Sequence, residues 1–450
     1  MTDDRTGSQG DAGSAKSGLS TSFVLRDRLK SLHRMPSIHA LFDQGIVSGT
    51  RFVTSVLIGR FCGPEDLGYY TIAFALLLLA MAVQESLISK PYTVFSARRD
   101  RERNSVYEGN VFMQHGALVL LAMTTCLLSA VFLRLSYAGD TRLPLVLLLL
   151  TAILPFTLLW DLLRRLFFAR FKMIDAVFLD TALAFLQLGL LVGLAYIGTL
   201  SLTTAMLCIA GSSALVSLAW LFVWLRSFPA TLRFSPPDWS QNWRFGNWIL
   251  AGQVLGTLHG YAVPWVLTFA ANIASTGVFV AAQSVVLLAN PMMLGIGNWL
   301  GPRASHAMVE GGKQQVRKLI LQVSGLVLAA MGLLAGIMYL FGAMALEFLF
   351  GPAYADQQLL VSVLGLCPIF WSLTVVLGTG LTVLERTKTV FWGSVLGVVL
   401  TLLLVVPLTW TGGIVGGAIA LLLGSAAGTL HLLWYFNSET FHPHTEVVQA

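Results

Sequence analysis

The chain has 450 residues, of which 56% are hydrophobic and 11% charged, against roughly 25% charged in an ordinary soluble domain. Its mean hydropathy is +0.75, which means more apolar surface than a soluble globule can hide beneath a polar coat. These values exclude a soluble enzyme, a nucleic-acid-binding module and a disordered protein, and they leave an all-α integral membrane protein that crosses the bilayer many times.

The net charge of +6 does not point to nucleic acid, because the basic residues fall in short clusters between apolar runs, where they report orientation. Cys62, Cys126, Cys208 and Cys367 lie in or beside apolar segments without CxxC spacing, so they are read as small packing residues and not as a metal site or disulfide framework.

In chain order, residues 1–40 form a cytoplasmic tail. Residues 1–18 have almost nothing to bury and are expected to be disordered. Over 19–35, Leu25, Leu29 and Leu32 recur at helical spacing among basic residues, a pattern for a surface helix on an anionic membrane or for a solvated lead-in. No cleavable signal peptide is apparent. Apolar spans follow near 41–62, 67–89, 109–134, 143–163, 175–197 and 202–225, then 246–270, 276–299, 317–342, 357–380, 389–410 and 413–435. Each is close to the ~20 residues that cross ~30 Å of hydrocarbon. Without water to satisfy the backbone, each must be a helix. The expectation is about twelve transmembrane helices in two six-helix lobes, 41–230 and 231–438, around a central cavity, with a short cytoplasmic tail at 439–450.

With the N-terminus inside, 24 of the 28 Lys and Arg fall in cytoplasmic segments. That asymmetry places both termini of a multi-pass membrane protein in the cytoplasm. The outer connections GPEDLG, GTLSL and TGG are little more than turns, whereas residues 226–245, with Pro229, Pro236 and Pro237, divide the chain. Gly-x-x-x-Gly occurs eleven times, for example at Gly45/Gly49, Gly252/Gly256 and Gly413/Gly417. Such spacing favours closely packed helices. The halves also echo each other. Gly49-Thr50 stands 19 positions before Gly68-Tyr69, and Gly256-Thr257 stands 21 before Gly277-Val278. Two such halves around a path are a common transporter plan.

No GxxxxGK[ST], HExxH or GxSxG pattern occurs, and GIGNWLG at 295–301 has no preceding strand and so is not read as a phosphate loop. His442-Pro443-His444 is read as a solvated end. The informative residues are polar groups within spans, where each is costly and tends to face the bundle interior. Gln44, Ser48, Arg51 and Ser55 share one helix face. Arg51 is ten residues in from Leu41, about 15 Å deep at the rise of a helix. Glu85 lies near the inner end of the second span. Two readings stand side by side. In one, Arg51 and Glu85 form a buried pair that only fixes packing; in the other, Arg51 is a cationic point on a transport path. His115, Gln253, His259, Tyr261, Gln283 and Asn290 complete the candidate cavity set, each weighed against a plain interhelical hydrogen bond. Pro264 and Pro291 are expected to break successive spans. Asp161 and Asp180 are read as interfacial, beside Arg164 and Arg165.

The stretch 42–78 resembles the opening of bacterial polysaccharide-biosynthesis flippases of the multidrug/oligosaccharidyl-lipid/polysaccharide superfamily, through Asp43-Gln44, Ser48-Gly49, Phe52, Arg60, Gly63-Pro64-Glu65 and Gly68-Tyr69. Pro91, Ala281-Ala282-Gln283, Asn298 with Pro302-Arg303, and Gly351-Pro352-Ala353-Tyr354 extend the resemblance. Arg51 departs from it, standing where the family often has a small polar residue.

The resemblance implies a V-shaped pair of lobes that moves a lipid-linked oligosaccharide or polysaccharide precursor across the inner membrane by alternating access. It also implies no catalytic residues and no cofactor beyond H⁺ or Na⁺ coupling. The expected partners are the lipid-linked glycan, membrane lipids, and a polysaccharide polymerase or glycosyltransferases, with no nucleic acid. Two other readings are a cation-coupled exporter of small amphiphiles and a membrane-embedded glycan polymerase or ligase. The short outer connections count against the last.

Overall fold

The computed structural model describes residues 36–136, 141–228 and 230–441. The tail 1–18, the segment 19–35 and the His442/His444 pair lie outside the described residues. Among the described residues every regular element is helical.

Helix α1 is Pro36–Cys62 and α2 is Pro64–Gln84. A π-turn over Glu85–Ser89 joins α2 to α3, Lys90–Phe95. Then come α4 (Arg101–Ser136), α5 (Arg142–Ala169), α6 (Met173–Tyr196) and α7 (Leu202–Ser227). Beyond the dividing segment lie α8 (Pro236–Ala270), α9 (Ile273–Val286), α10 (Asn290–Phe350), α11 (Gln358–Val383) and α12 (Thr387–Phe441). Among the described residues eight helical stretches are long and apolar enough to cross a membrane. Their outward faces carry large apolar side chains, among them Phe132, Phe185 and Phe348, so the exterior is suited to lipid.

Helix ends follow local chemistry. Ser201 caps α7 with a capping box, its Oγ accepting the Thr204 N–H at 3.3 Å while Thr204 Oγ1 accepts the Ser201 N–H at 2.9 Å. Asn272 caps α9 through Oδ1, which accepts the Ser275 N–H at 2.8 Å. The π-turn precedes Pro91, which has no N–H to donate; the widened turn closes instead with Lys90 N–H on the Glu85 carbonyl. A 3₁₀ turn at Leu287–Ala289 interrupts the helix just before Pro291. Pro264 does not break its helix: α8 runs through it, and the Pro264 carbonyl accepts the hydroxyls of Thr268 and Thr276 at 2.9 and 3.1 Å. GIGNWLG lies inside α10.

Two long helices bend sharply without a connecting loop. In α10 the bend falls at Gly311-Gly312, with Gly312 at φ 60°, ψ −156°; in α12 it falls at Gly413, at φ 56°, ψ −138°. Only glycine takes these dihedrals without strain. Each bend turns one hydrogen-bonded rod into two arms.

Lipid tails are as apolar as leucine, so helices in a membrane associate through close packing and polar contacts. The glycines supply the close packing. A Cβ on Gly424 would stand 2.6 Å from the Gly397 carbonyl, and one on Gly428 would stand 2.9 Å from that of Gly393. The two arms of α12 therefore meet through paired Gly-x-x-x-Gly motifs. Gly45, Gly49, Gly252 and Gly256 have nothing within 4 Å and leave open surface. The four cysteines are free, with Cys367 buried and the rest half-buried.

The segments before and after the dividing connection touch at both ends of the bundle. At one end α2 crosses α9 through Gly68 and Gly277, Arg60 donates to the Phe348 and Leu349 carbonyls, and Tyr354 donates its hydroxyl to the Gly59 carbonyl at 3.2 Å. At the other end, which carries the basic segments 90–103 and 164–172, Arg99 pairs with Asp238 at 2.8 Å and Tyr107 donates to Asn242 Oδ1 at 2.8 Å.

Candidate functional site

Helix α1 contributes two neighbouring faces. Asp43, Val47, Thr54 and Ile58 are buried. The adjoining face holds the sequence-predicted stripe. There Gln44 donates to Ser48 Oγ at 3.2 Å, Ser48 is exposed, and Arg51 and Ser55 are half-buried.

The buried face belongs to a charge network that joins α1, the π-turn, α5 and α6. Asp43, Asp161 and Asp180 are 0, 2 and 2% exposed. Arg164 pairs with Asp43 and, through Nε, with Asp180 at 2.6 Å, while Trp160 Nε1 donates to the other Asp180 oxygen at 2.8 Å. The next residue, Arg165, donates its Nε to both oxygens of Asp161 at 3.0 and 2.9 Å and reaches Glu85 at 3.0 Å, and Lys90 takes the second Glu85 oxygen at 3.1 Å. Gln84 extends the network. It donates to the Leu158 carbonyl and to Asp161 at 2.9 and 3.1 Å and shares a 2.9 Å hydrogen bond with His115 Nδ1. Carboxylates this far from water persist only when cations and donors compensate them. Asp43 Oδ1 remains without a hydrogen-bond partner.

Arg51 stands apart from this network. The Arg51–Glu85 pair is not formed: the π-turn aims Glu85 at α5, where Arg165 and Lys90 occupy both oxygens. The Arg51 guanidinium instead lies 5.5 Å from the Phe74 ring centroid and forms no ion pair or hydrogen bond among the described residues. It borders a cavity of about 80 Å³ with Tyr70, Phe74, Trp160, Asp180 and Gln187, in which Gln187 also donates to Thr54 at 2.9 Å. Asp161 of the network is within electrostatic reach of Arg51, and Tyr261 of α8, from beyond the dividing segment, acts on it more weakly.

The remaining predicted residues do not share that cavity. His115 is spent on Gln84. His259 borders a second cavity of about 400 Å³ formed by α8, α11 and α12, whose walls include Trp371, Thr374 and Phe391 over a floor of glycines. There Trp371 Nε1 donates to Ser425 Oγ at 3.0 Å. Gln283 is buried, and Gln253 and Asn290 are half-buried without lining either space. The eleven residues thus divide between two cavities and the packing around them.

Sequence reasoning passed over the acidic half of the network. Asp161 and Asp180 read as interfacial beside Arg164 and Arg165, yet both are buried in the bundle. A signal was available. Acids at 43, 161 and 180 lie in or next to apolar spans and need cations at matching depth, which Arg164 and Arg165 supply. Among the described residues no group of His, Cys, Asp and Glu is arranged to hold a metal ion.

Residues 38–308 match the family model described as "Polysaccharide biosynthesis protein". No curated protein matches the sequence. The fold is similar to that of an inward-facing multidrug resistance MATE family transporter of the MOP superfamily, with TM-score 0.72 and 15% identity over 88% of this chain and 94% of that one. It is also similar to the lipid II flippase MurJ in an inward closed conformation, with TM-score 0.71 and 14% identity over 89% and 87% of the two chains. A MOP superfamily transporter from Pyrococcus furiosus aligns with TM-score 0.61 and 13% identity over 90% and 94%. These likenesses fix the fold, and the family match covers more than half of the length: the chain belongs to the polysaccharide biosynthesis protein family.

Proposed function

We propose that this protein flips a lipid-linked oligosaccharide or polysaccharide precursor across the cell inner membrane by alternating access. In this reading α2 and α3 count as one span, α9 and the first arm of α10 as another, and the second arm of α10 and each arm of α12 as one each. The bundle then has twelve spans in two six-helix halves, with both termini in the cytoplasm. The observation that carries the reading is Arg51: a guanidinium deep in a span, in no ion pair or hydrogen bond among the described residues, beside a cavity. A cation there that no carboxylate touches directly is costly, and an anionic phosphate link of a glycan lipid would compensate it. Membership of a polysaccharide biosynthesis family supports the glycan.

The Asp43–Arg164–Asp180 group supports coupling to H⁺ or Na⁺. Two buried carboxylates share one cation, and one oxygen is left open. Proton uptake or a sodium ion would neutralise the excess charge and change how α1 and α6 pair. The same observation favours the second reading, a cation-coupled exporter of small amphiphiles.

The test is reconstitution into vesicles with a fluorescent lipid-linked glycan, scored by quenching from one side. Movement of the labelled glycan, lost in Arg51→Ala, supports the proposal. Movement of small amphiphiles alone would replace it with the second reading.

A further inference from the structure

The bend at Gly311-Gly312 leaves an open cleft of about 690 Å³ between the two arms of α10. One face of each arm is turned into it. On the first arm Trp299, Arg303 and His306 recur at helical spacing; on the second, Gln315, Lys318 and Gln322 do the same. The opposite faces, with Leu300, Ala304, Val316 and Ile320, are buried in the bundle. Polar residues therefore predominate on the cleft side of both arms, beside Pro302, Ala307 and Leu319, where apolar ones hold the core side.

The cations in this cleft differ from the carboxylate-paired cations at the basic end. Arg99, Arg164, Arg165 and Arg170 each hold a carboxylate. Among the described residues Arg303 and Lys318 form no ion pair, although both border the cleft with Glu310 as its one acidic side chain. The Arg303 guanidinium stacks 5.3 Å from the Trp299 ring centroid, which presets it without consuming its donors. Trp299 is 50% exposed. An indole at this position suits the boundary between hydrocarbon and headgroups. By the alternation of the helices the bend lies at the same end as residues 90–103 and 164–172, the end that the Lys/Arg distribution assigns to the cytoplasm.

We propose that the cleft between the arms of α10 binds the phosphate of a lipid headgroup in the cytoplasmic leaflet. Arg303 and Lys318 take the phosphate oxygens, Gln315 and Gln322 donate to the polar part of the headgroup, and Trp299 packs against the start of the chains. The phosphate can come from a resident anionic phospholipid or from a polyprenyl diphosphate. This site stands independently of which substrate the protein transports.

The test uses the full-length protein in nanodiscs and compares phosphatidylglycerol, undecaprenyl diphosphate, phosphatidylcholine and inorganic phosphate by competition and native mass spectrometry. Two cations near an anionic surface correspond to about a thirtyfold preference for the anionic lipid over phosphatidylcholine. The double variant Arg303→Gln, Lys318→Gln should lose this preference and keep its melting temperature in detergent, since neither side chain is in the core. Loss of both anionic lipids together identifies a resident phospholipid site; loss confined to undecaprenyl diphosphate identifies the polyprenyl lipid as the source. Both outcomes support the proposal. Lys313→Gln, on the turn and outside the cleft, should leave the preference unchanged. An equal loss in Lys313→Gln, an unchanged preference in the double variant, or binding of inorganic phosphate as strong as that of the lipids would each overturn it.

Discussion

Gly68 and Gly277 are reciprocal. A Cβ on Gly68 would stand 2.1 Å from the Ile273 carbonyl, and a Cβ on Gly277 would stand 1.8 Å from the Pro64 carbonyl. Each glycine lies four residues after the helix start that the other presses against, so α2 and α9 cross through two equivalent contacts. This is the pair of positions that the echo between the two halves of the sequence singled out.

The crossing tolerates no side chain because its neighbours are backbone. Gly68→Ala and Gly277→Ala should each lower thermal stability in detergent, by about 1–3 kcal/mol as for overpacking elsewhere. Gly49→Ala and Gly256→Ala, with open space around them, should be neutral or stabilising by up to about 1 kcal/mol. Equal effects in the two groups would show that the crossing is not a close contact.

Arg164 bridges two carboxylates that are almost fully buried. Arg164→Ala should cost about 3–5 kcal/mol, because Asp43 and Asp180 lose their shared cation. Adding Asp43→Asn and Asp180→Asn to Arg164→Gln should restore part of the loss. Melting curves of the single and combined variants measure this, and absence of rescue would place the damage in packing.

Arg51 and Glu85 have separate partners, so their substitutions should add. A double-mutant cycle with Arg51→Ala and Glu85→Ala should give a coupling energy below about 0.5 kcal/mol. Arg51→Ala alone should melt close to the parent protein and lose transport, with Arg51→Lys retaining part of it. Glu85→Ala should destabilise, since it strips Arg165 and Lys90 of a shared anion.

Gly312 and Gly413 hold dihedrals that other residues adopt only at a cost of about 1–3 kcal/mol. Gly312→Ala and Gly413→Ala should therefore destabilise despite open space around the new methyl groups. Differential scanning fluorimetry, with Gly325→Ala as a control at an ordinary helical position, reads the difference.

Orientation has a direct chemical test. In a background lacking the four cysteines, Ser136→Cys should react with a membrane-impermeant thiol reagent in intact cells, and Asp100→Cys only after lysis. Reaction of Asp100→Cys from outside would overturn the cytoplasmic placement of the termini.

The sequence by itself determined much of the architecture. Apolar length and the exclusion of unpaired backbone from hydrocarbon dictate helices, and the two glycine bends fall between runs already separated by hydropathy. Helical spacing placed Gln44, Ser48, Arg51 and Ser55 on one face because that depends only on the 100° step along a single helix. The partners of those residues were beyond its reach. Arg51 and Glu85 are near enough in depth to suggest a pair, but the π-turn rotates Glu85 toward α5, and that rotation follows from how Pro91 is accommodated in the packed bundle. Asp43, Asp161 and Asp180 look interchangeable as lone acids in a string of letters. The i,i+4 spacing along α5 gives Asp161 to Arg165, but only the approach of α1 and α6 to α5 gives Asp43 and Asp180 to Arg164, because pairing between helices is decided by their distance and not by spacing along any one of them.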